Sequence, residues 1–228
     1  MKYKGILLDI DNTLYDYDKT HIKALETLIV YASKQLDVNI ADLKKAYLKA
    51  RKQINSELNE SASSHNRLLY IQKMLESLNI SGLTISLELY EIYWDTFIDN
   101  IVVYDGVYDF LESVQNVPIC LVTDLTAHVQ HRKIKKLNLD QYADYLVTSE
   151  EAGREKPHPY MFLLALYKMD LKSNEVCMIG DSYKKDILGA SQLGISSYWL
   201  HNVDHTEEIN NDLITKFSEF DELSKYIL

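Results

Sequence analysis

Glycine and proline divide this chain in two. Between Asp16 and Asn100 there is one glycine, Gly82, and no proline, whereas the other six glycines and all three prolines lie outside that stretch. Both residues interrupt helices, glycine through excess backbone freedom and proline through its missing N–H. So long a stretch nearly without them predicts helix. Its apolar residues fall in step. Ile22, Leu25, Ile29, Ala32 and Leu36 recur at intervals of three and four, and so do Leu43, Ala46, Tyr47, Ala50 and Ile54. Leu68, Ile71, Leu75 and Leu78 form a third stripe, and Tyr90, Tyr93, Trp94 and Phe97 a fourth. Each stripe is one face of a helix. Asn39, three residues before Asp42, carries the side chain of a helix cap. The stretch reads as a four-helix unit.

Elsewhere a different rhythm holds. Short apolar runs at residues 5–10, 117–123, 144–149, 176–181 and 195–200 end in polar or small residues, and helical patterns such as 107–114 and 160–167 fill the gaps. Strands alternating with helices imply an α/β fold with a doubly wound parallel sheet. The helical stretch interrupts this scheme after the first strand, as an inserted cap does. The expected division is a core of residues 1–15 and 101–228 and a helical cap of residues 16–100. Beyond His201 the chain is polar and closes with an amphipathic pattern over residues 213–228.

Composition narrows the classes. Of 228 residues 46% are hydrophobic and 25% charged, which is ordinary for a globular protein and excludes wholesale disorder. There are 24 basic and 34 acidic side chains, for a net charge of −10. Affinity for nucleic acid comes largely from Lys and Arg neutralising phosphates, so no nucleic acid or acidic membrane is expected as partner. A small anionic substrate remains compatible, because a metal ion and a few local cations reverse the field in one cleft. No run approaches the roughly 20 apolar residues of a membrane span. The first apolar run stops at Asp9, too short for a signal-peptide core. Cys120 and Cys177 each sit inside an apolar run and read as buried, reduced thiols. A cytoplasmic protein, monomeric or homodimeric, is expected.

In open α/β sheets, functional groups gather at the carboxyl ends of the strands. Here the first run leads into Asp9, Asp11, Asn12 and Thr13, the second into Thr123 and Asp124, and the fourth into Asp181 and Ser182, with Asp186 five residues on. Lys156 and Pro157 follow the third. Any one of these acids is accounted for as a helix cap. Asp9, Asp11, Asp181 and Asp186 together are not, because carboxylates crowded on one rim repel. A cation must hold them, and Mg²⁺ suits oxygen ligands while leaving positions open for phosphate.

These motifs resemble those of the haloacid dehalogenase-like hydrolase superfamily. Asp9 to Leu14 resembles its first motif, DxDxT; Leu121 to Thr123 its second; Glu155, Lys156 and Pro157 its third; and Gly180 to Asp186 its fourth. Each alone is weak, but the four occur in order along essentially the whole chain. The resemblance implies a Rossmann-like core with an inserted all-helical C1 cap, and a Mg²⁺-dependent phosphatase acting on small phosphomonoesters of nucleotide or sugar-phosphate type. Asp9 would be the nucleophile and Asp11 the general acid and then base, a task for which crowding by other acids is expected to raise its pKa. Thr123 and Lys156 would bind the phosphoryl group. Asp9, the backbone carbonyl of Asp11, Asp181 and Asp186 would hold the metal.

Asp11 argues against the carbon–halogen-cleaving branch, which resembles this pattern but lacks the second Asp. A phosphomutase would use the same motifs, and a phosphonate-cleaving relative would need a cap lysine; Lys44, Lys45, Lys49 and Lys52 have the spacing of a solvated helix face. A non-catalytic binding protein on the same scaffold is the rival of another class. Position 124 departs from the family, which often has Asn there. Asp124 is expected to cap the helix starting near Leu125, or else to pair with Arg132, Lys184 or Lys185 or touch the substrate. Arg67, at the start of a cap helix, is either a contact for an anionic substrate or a solvated residue. Tyr15 and Tyr17 line the entrance or pack the hinge. The pairs His128 and His131, and His201 and His205, read as solvated surface histidines.

Overall fold

A computed structural model of the chain describes residues 2–201 and 211–228. The chain divides into two compact units, Met1–Asp16 with Val102–Leu228, and Tyr17–Ile101.

The first unit is built on a six-stranded sheet: β1 (Gly5–Leu8), β2 (Ile119–Thr123), β3 (Tyr145–Thr148), β4 (Val176–Gly180), β5 (Ser196–Leu200) and β6 (Ile214–Phe217). The strand order is β3-β2-β1-β4-β5-β6, parallel throughout. The chain steps outward from β1 through β2 to β3, then returns to β4 on the other side of β1. That reversal makes β1 the hinge of the topology, and a ligand crevice is expected at the carboxyl end of such a strand. All residues of β1, β2 and β4 are buried. Strands covered on both faces must be continuous apolar runs, as these are. Leu7, Cys120, Val122, Met178 and Phe162 belong to one buried cluster.

β1 lies between Cys120 and Cys177, Leu7 pairing with the first and Ile6 with the second. Both thiols are free and buried. Burial pushes Cys120 up to about 12 and Cys177 higher. The amphipathic pattern at the C-terminal end resolves into two elements. Residues 213–228 contain the edge strand β6 and then a helix, Phe220–Ile227. His205 lies outside the described residues, and His128 and His131 are exposed.

The second unit holds four α-helices: α1 (Tyr17–Leu36), α2 (Ile40–Glu57), α3 (Arg67–Ser77) and α4 (Ser86–Asp99). Asn39 and Asn66 cap α2 and α3, their side chains accepting the N–H groups of Ala41 and Leu68. Such caps satisfy amides that the helix itself leaves unpaired. α1 packs on α4 and α2 on α3, burying Leu28, Ile29, Leu43, Ile71 and Leu75. Each such side chain contributes roughly 1.5–3 kcal/mol. Tyr93, Trp94 and Phe97 form an aromatic centre, with Tyr93 and Trp94 edge to face at 5.0 Å and 88°. Lys44, Lys45, Lys49 and Lys52 are solvent-exposed. No helix among the described residues is long and apolar enough to cross a membrane.

The remaining α-helices of the first unit are α5 (Val107–Ser113), α6 (Ala127–Lys136), α7 (Ser149–Ala152), α8 (Pro159–Met169), α9 (Gly189–Ser191) and α10 (Phe220–Ile227). A π-helical turn, Tyr183–Leu188, leads into α9.

Candidate active site

The register of the sheet sets the site. Leu8 is level with Leu121 and Ile179, so Asp9 emerges one residue beyond the end of β1 between its two neighbours. Its N–H donates to the Ile179 carbonyl at 3.0 Å, which fixes the backbone there. Asn12 adopts a left-handed conformation, φ 64°, which Asn tolerates better than most residues. The turn closes where the Leu14 N–H meets the Ile10 carbonyl at 2.9 Å. Asp9, Asp11, Thr123, Lys156, Asp181 and Asp186 all line one cleft of about 250 Å³, together with Asn12, Asp124, Ser182 and Lys185.

Lys156 stands at the centre. Its Nζ lies 2.5 Å from Asp9 Oδ1, 2.9 Å from the Val122 carbonyl and 2.7 Å from Asp186 Oδ1. Asp9, Lys156 and Asp186 are each at most 4% exposed. Thr13 ties two strand ends together. Its hydroxyl lies 2.8 Å from Asp9 Oδ2 and 3.2 Å from Asp181 Oδ1, and accepts the Asp181 N–H at 3.0 Å. Asp186 reaches back to accept the Ser182 N–H at 3.0 Å. Position 180 must be glycine for this: a Cβ there would sit 2.6 Å from Asp186 Cβ, Cγ and Oδ2. The Trp199 indole N–H, donating to the Asp181 carbonyl at 2.7 Å, braces the same loop.

Oxygens of Asp9, Asp181 and Asp186 lie within 4.8 Å of one another. Three carboxylates against the single Lys156 ammonium leave a formal charge of −2. Burial, outweighing the Lys156 charge, raises the pKa of Asp9 well above the ordinary carboxylate range. Burial and the charge of Asp186 push Asp181 up to about 7. Burial also raises Asp186. Burial would lower Lys156, but Asp186, Asp9 and Asp124 raise it well above its usual value. A set of hard oxygen donors with an unmet charge of two fits a divalent cation of the Mg²⁺ type. The Asp11 carboxylate is not part of this group.

Asp11 faces a different partner. Lys133 Nζ sits 2.7 Å from Oδ1 and 2.8 Å from Oδ2. The Tyr15 hydroxyl also donates to Oδ1, and Gln130 Nε2 to Oδ2 at 3.2 Å. Tyr15 is fully buried. The expectation of a raised pKa is therefore overturned. Burial does push Asp11 upward, but the Lys133 charge and these hydrogen bonds bring it below its ordinary value. Neither Lys133 nor Gln130 was singled out in the sequence. The only signal is phase, since both fall in step with Val129 and Ile134 on the buried face of α6.

The capping role expected of Asp124 also fails. Leu125 takes φ 87°, outside the helical region, and α6 begins only at Ala127 with Thr126, not Asp124, at its cap position. Asp124 instead accepts the Lys156 N–H at 3.0 Å through Oδ1 and pairs with Lys185 at 2.7 Å through Oδ2. Lys185 also lies 3.3 Å from Glu155. Thr123 is buried, its hydroxyl accepting from Gln130 Nε2 at 2.6 Å. His158 caps α8, accepting the Tyr160 N–H. Arg67 belongs to the helical unit and is only 3% exposed, so it is not the solvated helix-start residue that was one of its two readings. It donates to the His65 carbonyl at 2.6 Å and to the Tyr17 hydroxyl.

Residues 3–194 match the haloacid dehalogenase-like hydrolase family, and the chain belongs to it. A ribulose-1,5-bisphosphate 5-phosphatase of Halopiger xanaduensis is 32% identical over 198 residues, 85% of this chain and 82% of the relative. The pyrimidine 5'-nucleotidase YjjG of Escherichia coli is 25% identical over 213 residues, 91% of this chain and 90% of that one. In fold the chain is similar to a 2-haloacid dehalogenase from Pseudomonas syringae pv. Tomato DC3000, with a TM-score of 0.80 at 18% identity over 98% of this chain and 97% of that one. Within this family, and with phosphatases among its relatives, the chain is a phosphoric monoester hydrolase for small phosphoesters.

Proposed function

We propose that the protein is a Mg²⁺-dependent phosphatase that hydrolyses phosphomonoesters of nucleotide or sugar-phosphate type through a phosphoryl group carried on Asp9. The observation that carries this reading is the setting of Asp9: buried, hydrogen-bonded to Lys156, and two residues from a second acid held by its own lysine. Relatives named for a sugar bisphosphate and for pyrimidine nucleotides support the substrate class.

Asp9 Oδ attacks phosphorus, and the ester P–O bond breaks as the Asp9–phosphorus bond forms. Splitting the displacement in two replaces one hard step by two easier ones. Asp11 gives its proton to the leaving oxygen, then takes one from the water that attacks the phosphoryl group and frees Asp9. Lys133 favours the ionised form that the second step needs; a phosphate dianion entering the cleft raises the proton affinity that the first step needs. Lys156 offsets negative charge on Asp9 and the phosphoryl oxygens, and Thr123 offers its hydroxyl to one of them. Asp9, Asp181 and Asp186, with the backbone carbonyl of Asp11, are the residues that would hold Mg²⁺, which when bound neutralises charge on the phosphoryl group. The helical unit is the cap that selects among esters.

The test is a panel of metabolite phosphates and p-nitrophenyl phosphate, assayed for released inorganic phosphate with Mg²⁺ and with EDTA. Release with Mg²⁺ and none with EDTA is the expected result. No metal-dependent release from any ester would favour a non-catalytic role.

A further inference from the structure

Lys133 lies outside the four motifs, yet its side chain is 0% exposed and its ammonium spans both oxygens of Asp11 at 2.7 and 2.8 Å. A lysine is almost never buried so fully unless its charge is matched. Here the match is made to a carboxylate that is itself 21% exposed and lines the cleft. Tyr15 closes on the same carboxylate from the β1 loop and Gln130 from α6. The Gln130 amide also donates to Thr123 Oγ1 at 2.6 Å and to the Asp124 carbonyl at 2.7 Å, which ties α6 to the end of β2. Val129 and Ile134 anchor α6 in the core, so Lys133 extends from a fixed support.

We infer that Lys133 is the positioning residue for Asp11: by bridging both carboxylate oxygens it fixes the plane in which Asp11 meets the leaving oxygen and, later, the attacking water. The inference rests on the reading of Asp11 as proton donor and acceptor. In the first step the proton leaves Asp11 for the ester oxygen as the P–O bond breaks. In the second, a proton of the water passes to Asp11 as the water oxygen bonds phosphorus and Asp9 departs. Both transfers need a carboxyl oxygen within hydrogen-bond reach and correctly turned. An untethered Asp side chain rotates about two bonds, and the bridging ammonium removes that freedom.

Leaving-group chemistry separates positioning from mere structural support. p-Nitrophenolate leaves without a proton, whereas an alkoxide does not. kcat/KM is measured for p-nitrophenyl phosphate and for the alkyl phosphate turned over best in the panel above. The proteins are the wild type, Lys133→Met, Asp11→Asn and the double variant. Lys133→Met should lower kcat/KM on the alkyl ester about 30- to 100-fold and on the nitrophenyl ester no more than about 5-fold. Asp11→Asn should show the same pattern more strongly. The double variant should match Asp11→Asn alone, because Lys133 acts only through Asp11. Lys133→Arg, which keeps two donors on the carboxylate, should restore part of the loss. Equal losses on both esters, or a further loss when Lys133→Met is added to Asp11→Asn, would overturn the inference and leave the role of Asp11 intact. An Asp11→Asn variant without leaving-group dependence would overturn both. If Lys133→Met does not fold, Tyr15→Phe removes one hydrogen bond and no charge; it should shift the same ratio by about 3- to 10-fold, and an unshifted ratio would count against the inference.

Discussion

Lys156 in the core and Arg67 in the helical unit are both nearly inaccessible, at 4% and 3% exposure, but their surroundings share little. Lys156 is held by acids, with Asp9 and Asp186 within 2.7 Å. Arg67 lies among aromatic rings, its guanidinium carbon 5.3 Å from the Tyr70 centroid, 5.7 Å from Tyr93 and Trp94, and 6.0 Å from Tyr17. Its other contacts are neutral oxygens, the His65 carbonyl and the Tyr17 hydroxyl. Desolvation, with the charges of Arg67 and Arg51 close by, drops His21 to about 3, so the imidazole adds no charge of its own near neutrality. A cation held by rings is an architectural anchor whose cation–π attraction is worth about 0.5–2 kcal/mol. A cation held by acids that outnumber it leaves an imbalance that another ion or a substrate must meet. The contrast separates packing from chemistry inside one chain.

The largest effect that would break this contrast is on turnover. Asp9→Asn should reduce phosphate release by at least about 10³-fold, with the circular dichroism spectrum unchanged; retained activity would remove Asp9 as nucleophile. Next comes stability. Lys133→Met leaves the Asp11 carboxylate without its countercharge and should cost about 3–5 kcal/mol in urea denaturation. Arg67→Met replaces a ring-held cation by an apolar chain of similar length and should cost less, about 1–3 kcal/mol. A larger cost for Arg67 than for Lys133 would reverse the comparison. A rise in KM with stability unchanged would return Arg67 to the substrate-contact role that its place in the sequence suggested.

A smaller effect follows from Asp181, whose pKa in the metal-free protein is pushed up to about 7 by burial and Asp186. An unfolded Asp titrates near pH 4. Between these values the folded group is protonated and the unfolded one ionised, so the folded state binds more protons. Its contribution to stability is therefore fully present below about pH 4 and is lost as pH rises through 7. Mg²⁺ competes with that proton. The rise in Tm on adding Mg²⁺ should be greater at pH 8 than at pH 5.5; a shift independent of pH would place the cation elsewhere. The smallest expected change is at exposed His128, where Ala should alter stability by no more than about 0.5 kcal/mol.

How much of this could be read beforehand depends on where each residue sits. β1, β2 and β4 are buried on both faces, so their sequences are unbroken apolar runs. β6 is an edge strand of four residues, Ile214–Phe217, with Lys216 exposed, and its pattern merges into the amphipathic helix that follows. Asp9, Asp181 and Asp186 were legible because carboxylates gathered at strand ends need a cation. Lys133 was not, because α6 also carries Lys135 and Lys136, and only helical phase sets it apart. Asp124 misled because a single left-handed residue, Leu125, delays the helix by two positions. The sign of the Asp11 shift was misjudged because its controlling charge lies 122 residues away in the chain.

The central claim is that Asp9 carries the phosphoryl group. Rapid mixing with substrate and Mg²⁺, acid quenching within the first turnovers and mass spectrometry of the proteolysed protein test it directly. A phosphoryl adduct confined to Asp9, and absent from Asp9→Asn, is the predicted result. Steady phosphate release with no adduct, or an adduct on another residue, would contradict it.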